Sequence, residues 1–181
     1  MKKGFLIPVA VLASLLIIAS SDAYAGSINA VLNGKSFHLG ADEEWDEDNY
    51  GLGMEYEFSS TSRWKPRLMA NGFRDSNEHM SYMAGGGLHR TLYSTKRFRG
   101  LYIDAGINAF LMTRKDVNDN RPFPGILPSL TIGNDHLGMN LTYLPKRAVE
   151  ELYDNQMSDP SMSGIVFLQF KVAMSARSRT D

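Results

Sequence analysis

Cysteine is absent from the 181 residues of the chain. No disulfide can therefore cross-link the fold, and a lipid anchor on a cysteine behind a leader sequence is excluded as well. The fold must depend on hydrogen bonding and packing alone.

Neither sign of charge is in excess, because the chain has 19 basic and 20 acidic residues. Such a balance argues against nucleic acid as a partner. The chain has no P-loop, no GxGxxG and no GxSxG motif, so no nucleotide cofactor is expected. No metal site is predicted, since the histidines are far apart in sequence: His38, His79, His89 and His136.

Long apolar runs are missing after residue 25. The one apolar run, 4–19, follows Lys2 and Lys3 and precedes Ala23-Tyr24-Ala25, the small-x-small pattern that signal peptidase cleaves. We expect residues 1–25 to be a cleaved signal peptide that exports the chain. If the remainder lies in a membrane, it must be a closed barrel, because lipid cannot satisfy unpaired backbone groups.

Alternation with a period of two dominates the rest of the chain and indicates β-strands. In 101–111, for example, aliphatic residues occupy one face, and Asp104 and Asn108 lie on the other. The pattern and its turn residues predict eight strands: 27–38, 50–60, 64–75, 80–92, 100–113, 124–133, 136–144 and 163–173. The predicted fold is an all-β, eight-stranded, antiparallel up-and-down outer-membrane barrel over 26–173, followed by a polar tail, 174–181.

Alternation alone leaves open which face is inside. A soluble periplasmic barrel that binds lipid would turn its apolar face inward, whereas a membrane barrel turns it outward. The other face is rich in glycine and carries scattered charges such as Glu55 and Glu57, which favours a polar lumen. Aromatic residues near strand ends are expected at the membrane interface: Tyr50, Trp64, Tyr102 and Tyr143.

Two polar groups in the predicted loops are candidates for chemistry. The acidic stretch 42–48 is interpreted as a solvated surface loop, with divalent-cation binding as the alternative.

His38, Asp75 and Ser76 lie at the ends of odd-numbered strands, which share one rim of an up-and-down barrel. They can therefore converge, and a histidine near a serine and an aspartate can serve acid–base or nucleophilic chemistry.

Two short segments carry a resemblance to a known family. The stretch 73–77 (FRDSN) followed by 83–87 (MAGGG) resembles the lipid A palmitoyltransferases known as PagP. The likeness runs in order from about residue 36 to Pro145, through Arg114 and the PFPGILP segment, 122–128. It resumes faintly in the last predicted strand.

The resemblance implies an outer-membrane enzyme of a Gram-negative cell that moves a palmitoyl chain from a glycerophospholipid to lipid A. It implies that His38, Asp75 and Ser76 are the catalytic groups. It also implies four substrate-binding positions: Gly87, Arg114, Pro128 and Pro145. Gly87 would lie at the floor of the acyl pocket, where a bulkier residue should shorten the preferred chain. Pro124 or Pro128, with Pro145, would interrupt strand pairing and leave a lateral gap for lipid.

The chain also departs from the family's pattern. The amphipathic N-terminal helix of the family has no counterpart between residue 25 and His38, Asn77 and His79 replace aromatic residues, and the final loop, 145–163, is longer. The alternative to an enzyme is a structural or adhesive outer-membrane barrel without the reaction. No cofactor is expected, and the protein is expected to be monomeric, with membrane lipids as its partners.

Overall fold

The computed structural model describes residues 26–42, 46–152 and 161–175. The predicted signal peptide, 1–25, lies outside these residues, as do 176–181 of the predicted tail. Eight antiparallel strands follow one another around a closed barrel in which β8 also pairs with β1. They are β1 Ser27–Leu39, β2 Asp48–Glu57, β3 Trp64–Arg74, β4 Met80–Ser94, β5 Tyr102–Thr113, β6 Phe123–Gly133, β7 Leu137–Pro145 and β8 Gly164–Ala173. The predicted strand number, order and up-and-down topology are confirmed.

The apolar face of the strands points outward. Large aliphatic side chains from five of the strands are exposed on the outer wall: Leu52, Leu88, Ile107, Leu111, Ile126 and Leu137. Glu55, Glu57 and Asp104, by contrast, are buried inside. This is the arrangement of a barrel whose wall faces lipid, and it is the reverse of the soluble barrel. Tyr102 corrects one expectation, because it is 4% exposed and points into the lumen, away from any interface.

Short helical pieces occur only in the loops of the described residues. Helical turn α1 (Arg97–Gly100) links β4 to β5, and helix α2 (Lys146–Leu152) follows β7. The sequence pattern did not predict α2, whose seven residues are too few for a clear helical period. None of the helices in these described segments has the length and apolar character needed to cross a bilayer.

Strand β1 contains a β-bulge between Asn33 and Ser36. Asn33 pairs with Gln169 of β8 and Ser36 pairs with Phe167, so three steps along β1 match two steps along β8. Asn33 and Ser36 are both buried, although an odd and an even position in a regular strand would face opposite sides. The bulge thus reverses the alternation, so that even-numbered positions beyond it face the lumen.

Candidate functional site

A cavity of about 540 Å³ occupies one end of the lumen. This end is called the upper rim here and is formed by the β1–β2, β3–β4, β5–β6 and β7–β8 loops. Phe73, Phe110, Leu127 and Phe167 are among the apolar side chains that line the cavity, while Asp75, Ser76 and Arg114 add polar groups. The cavity therefore combines an apolar body with a polar edge, which suits an amphipathic ligand.

The turn after β3 presents Asp75 and Ser76 to this cavity. Asp75 is 1% exposed. Its Oδ1 accepts hydrogen bonds from the backbone N–H groups of Asn77 (3.1 Å) and His79 (3.0 Å), and its Oδ2 accepts one from the Ser81 hydroxyl (2.8 Å). A carboxylate with this many donors fixes the backbone of the turn. Asp75 thus holds Ser76 in place at the cavity wall.

His38 lies near the end of β1, on the lumen face that the bulge creates. Ser36, two residues earlier on the same face, lines the cavity, and its Oγ is 3.4 Å from Oγ of Ser76. Because β2 separates β1 from β3 in the barrel, this contact bridges the upper rim across one strand. The structure thus brings Asp75 and Ser76 into the cavity itself and places His38 beside it on the same rim.

A second polar group adjoins the turn. The Arg114 guanidinium approaches Asp75, with Nε 3.5 Å from Oδ2. Asp116 accepts a hydrogen bond from the Asn77 amide (2.8 Å), and its Oδ2 is 3.4 Å from Nδ1 of His79. Burial acts to raise the pKa of Asp116, but the hydrogen bonds from Asn77 and His79 outweigh it and hold that pKa below its usual value.

Within the described segments, one group of side chains could hold a metal ion: Asp75, His79 and Asp116. Ligand atoms of Asp75, His79 and Asp116 lie within 4.8 Å of one another. Nζ of Lys115 is 3.2 Å from Nε2 of His79, however, and Arg114 stands against Asp75. Two cations at the group compete with a metal ion for the same lone pairs, so we interpret it as a hydrogen-bonded ion cluster that orders the rim.

Asn108 closes the cavity at its lower end. It lines the cavity, whereas Gly87, which pairs with it on β4, is not among the lining residues. A Cβ added to Gly87 would collide with Oδ1 of Asn108. Gly87 therefore faces the lumen at the same level as Asn108, and the Asn108 amide covers it.

Below Asn108 the lumen is filled by buried charges. Arg67 is 1% exposed and donates from Nε to Glu57 (2.9 Å) and from Nη2 to Asp104. Lys171 donates to Glu55 at 2.7 Å. These side chains come from β2, β3, β5 and β8 and pair with one another inside the lumen.

Pairing between β6 and β7 is incomplete toward the upper rim. Their ladder runs from Gly133↔Gly138 to Ser129↔Thr142 and ends there. The next residue of β6 is Pro128, which has no N–H to donate. Beyond this point β6 pairs only with β5, and β7 up to Pro145 pairs only with β8.

The cavity reaches this opening. Pro124 and Leu127 of β6, Leu144 of β7 and Ala148 of α2 are all among its lining residues. The expected gap beside the prolines is therefore present in the wall, and α2 in the long final loop borders it.

Three polar residues shape the site without having been predicted as site residues: Ser36, Ser81 and Asn108. Ser36 has a signal in the sequence, because the apolar positions of β1 change parity around Gly34. Ser81 and Asn108 lie on predicted strands at lumen-facing positions, but their partners come from other strands, and only closure of the barrel reveals them.

Ser81→Ala tests the support of the Asp75 turn. We expect the substitution to lower the free energy of unfolding by about 1–3 kcal/mol, because a buried carboxylate oxygen loses its donor. Denaturant unfolding of the barrel in detergent, followed by circular dichroism, measures the change. Ser94→Ala, at an exposed position of the same strand, is the control and should change stability by less than about 0.5 kcal/mol. Equal effects of the two substitutions would contradict the role given to Ser81.

Two comparisons with known proteins match this chain. The family model described as "Antimicrobial peptide resistance and lipid A acylation protein PagP" matches residues 21–155. A curated relative from Methylobacillus flagellatus, "Lipid A acyltransferase PagP", is 30% identical over 105 residues, which are 57% of this chain and 54% of the relative. The chain thus spans about half the length of this relative. The match to the family model includes β1 to β7, with the turn at Asp75 and the incomplete β6–β7 ladder.

Proposed function

Because the chain belongs to the PagP family of antimicrobial peptide resistance and lipid A acylation proteins, we propose that it is an outer-membrane acyltransferase. It moves a palmitoyl chain from a glycerophospholipid to a hydroxyl group on an acyl chain of lipid A. The ester bond of the donor breaks, a new ester forms on lipid A, and a lysophospholipid leaves. No cofactor takes part, and the working unit is a monomer that residues 1–25 direct to export before they are cleaved off.

The observation that carries this proposal is the apolar cavity that ends at a polar rim and opens through the barrel wall. An acyl chain gains about 0.8 kcal/mol for each buried methylene, so an apolar cavity of about 540 Å³ supports tight binding of one chain. With the chain inside, the ester of the donor would lie at the upper rim beside Ser76 and Arg114. The gap next to Pro128 and Pro145 lets a lipid pass sideways between bilayer and cavity without leaving the membrane.

The polar residues of the rim have three kinds of role in this proposal: proton transfer, positioning and phosphate binding. His38 acts as the general base that takes the proton of the acceptor hydroxyl, since imidazole can exchange a proton near neutral pH. Ser76 orients the reacting ester through its hydroxyl. The hydrogen bonds that Asp75 accepts from its own turn and from Ser81 support a positioning role for it. Arg114 is suited to the phosphate of the donor or acceptor, because a guanidinium binds phosphate oxygens in pairs.

A reaction with purified components tests the proposal. The protein is refolded in detergent and mixed with a dipalmitoyl glycerophospholipid and lipid A. We expect lipid A with one added palmitoyl group and lysophospholipid in equal amounts, both measured by mass spectrometry. Release of free palmitate without acylated lipid A would indicate a phospholipase. Absence of both products from a correctly folded barrel would leave the structural or adhesive barrel as the better explanation.

A further inference from the structure

The lower rim of the barrel, formed by the β2–β3, β4–β5 and β6–β7 turns, is basic. Within the described residues, the cations of these turns are Arg63, Lys96, Arg97 and Arg99. The same turns contain a single carboxylate, that of Asp135, whereas the loops of the upper rim mix acidic and basic side chains. All the cations except Arg63 lie in one turn, 95–101, between β4 and β5. The positive charge of the lower rim is therefore concentrated at this turn.

Phe98 lies at the tip of the turn among these cations. Its side chain is 76% exposed, the largest exposed fraction of any large hydrophobic side chain in the described part of the chain. Lys96, Arg97 and Arg99 are exposed as well. None of the three forms an ion pair with another described residue. The turn thus presents an aromatic ring and three cations outward together.

The backbone fixes this arrangement. Phe98 (φ 54°, ψ 36°) and Arg99 (φ 61°, ψ 47°) both adopt the left-handed conformation, which residues other than glycine, asparagine and aspartate rarely adopt. The N–H of Leu101 donates to the carbonyl of Arg97 (3.2 Å) and closes the turn, and the N–H of Asp135 donates to the carbonyl of Arg99 (3.0 Å). Strained backbone that holds exposed side chains in place is more typical of a binding site than of a plain connection.

Apolar side chains on the outer wall lead down to the turn. A bulge near the end of β4, between Thr91 and Tyr93, leaves both Leu92 and Tyr93 exposed. Trp64, at the start of the neighbouring β3, is also exposed, and the Arg90 guanidinium lies 6.0 Å from the centroid of its ring. Tyrosine and tryptophan at strand ends mark the boundary between the membrane and water. The turn follows directly after this boundary, at the level of the lipid headgroups.

We propose that the turn 95–101 binds anionic phospholipids in the periplasmic leaflet of the membrane. The lower rim is the periplasmic one, because outer-membrane barrels have short turns on that side and the long loop 146–163 lies at the upper rim. Arg97 and Arg99, which can each contact two phosphate oxygens, bind the headgroups together with Lys96. Phe98 inserts between the lipids at the interface, where an aromatic ring is favoured.

The site lies at the end of the barrel opposite the cavity. The proposal therefore goes beyond acyl transfer and does not depend on it. A cation beside an anionic membrane surface contributes about fivefold in affinity. Three cations in one turn should accordingly give a preference of about a hundredfold for an anionic over a zwitterionic phospholipid.

Native mass spectrometry of the refolded barrel tests this preference. The two probes are phosphatidylglycerol and phosphatidylcholine with identical acyl chains. We expect the wild type to retain phosphatidylglycerol, and the triple variant Lys96→Gln/Arg97→Gln/Arg99→Gln to lose the preference of about a hundredfold. Arg99→Gln alone changes a single exposed side chain and should lose about fivefold.

A second triple variant controls for net charge. Lys35→Gln/Arg74→Gln/Arg121→Gln removes the same charge from exposed positions near the upper rim and should keep the wild-type preference. The heat-dependent gel shift verifies that every variant is folded. An equal loss in the two triple variants, or no loss in either, would overturn the proposal.

The absence of cysteine from the chain allows a single nitroxide label to report where the turn lies. Phe98→Cys carries the label at the tip, and His136→Cys carries it in the neighbouring β6–β7 turn, at an exposed position. The barrel is placed in vesicles of equal parts phosphatidylglycerol and phosphatidylcholine, with a water-soluble nickel chelate on both sides. The label at Phe98 should collide mainly with oxygen dissolved in the bilayer, and the label at His136 mainly with the chelate.

These readouts separate the proposal from the acyltransferase. If the label at Phe98 meets the chelate as often as the label at His136 does, the turn lies in water and the proposal is wrong. A barrel that keeps the phospholipid preference but transfers no palmitate to lipid A would support the lipid site and count against the proposed function alone.

Discussion

We expect His38→Ala to abolish acyl transfer to lipid A while the barrel still folds, and Ser76→Ala to lower the rate less. Loss of a general base costs about 10²–10⁴-fold in rate, so the His38 variant should fall to the limit of detection. Ser76 only orients the ester. When the Ser76 hydroxyl is lost, His38 remains in place as the general base. Both rates are measured with purified protein as formation of acylated lipid A.

Phe37→Ala provides the matched control for His38. Phe37 neighbours His38 on β1, but it faces outward and is 38% exposed. Its substitution should leave the rate near that of the wild type, provided that the bulge at Gly34 keeps the even positions inward. A His38→Ala variant that retains more than about a tenth of the wild-type rate would contradict general-base catalysis by this residue.

Arg67→Ala is expected to destabilise the barrel by about 3–5 kcal/mol, the usual cost of removing one partner from a buried ion pair. The guanidinium is completely buried and contacts Glu57 and Asp104, with Glu55 at 3.8 Å. Without it, these carboxylates stay in the lumen with Lys171 as the remaining cation of the described layer. Unfolding by guanidinium chloride in detergent measures the loss.

Arg74→Ala is the control for the Arg67 experiment. Arg74 pairs with Glu78 at 2.9 Å on the surface, with both side chains largely exposed. A surface pair contributes about 0–1 kcal/mol, so this substitution should change stability little. If Arg67→Ala destabilised the barrel no more than Arg74→Ala does, the buried charges would not be the layer that holds the lower lumen together.

The strands were predictable from the sequence because a barrel wall between lipid and a polar lumen imposes a strict period of two. In β5 the alternation groups Asp104 and Asn108 on one face, and the polar character of that face favours the lumen. The bulge in β1 was also accessible in principle: Leu32 faces outward before Gly34, and Phe37 faces outward after it. The outward-facing positions of β1 thus change from even to odd numbers, which is a local signal of an inserted residue.

The layers of the lumen were not predictable in the same way. Arg67 meets Asp104 and Thr131, which are 37 and 64 positions away, only because the barrel closes. The place of Gly87 shows the same limit. The family resemblance led us to expect this glycine at the pocket floor, but the partner across the β4–β5 ladder, Asn108, covers it. The pairing of β4 with β5 therefore places the Asn108 amide over Gly87, which the sequence of β4 alone does not reveal.

The most direct test of the acyltransferase is the mass of lipid A in living cells. A Gram-negative host without an enzyme of this type expresses either the wild-type chain or His38→Ala, and equal amounts of folded barrel are verified by the heat-dependent gel shift. Mass spectrometry should then detect lipid A that carries one added palmitoyl group in cells with the wild type and not in cells with the variant. Lipid A of unchanged mass in cells that contain folded wild-type barrel would contradict the account.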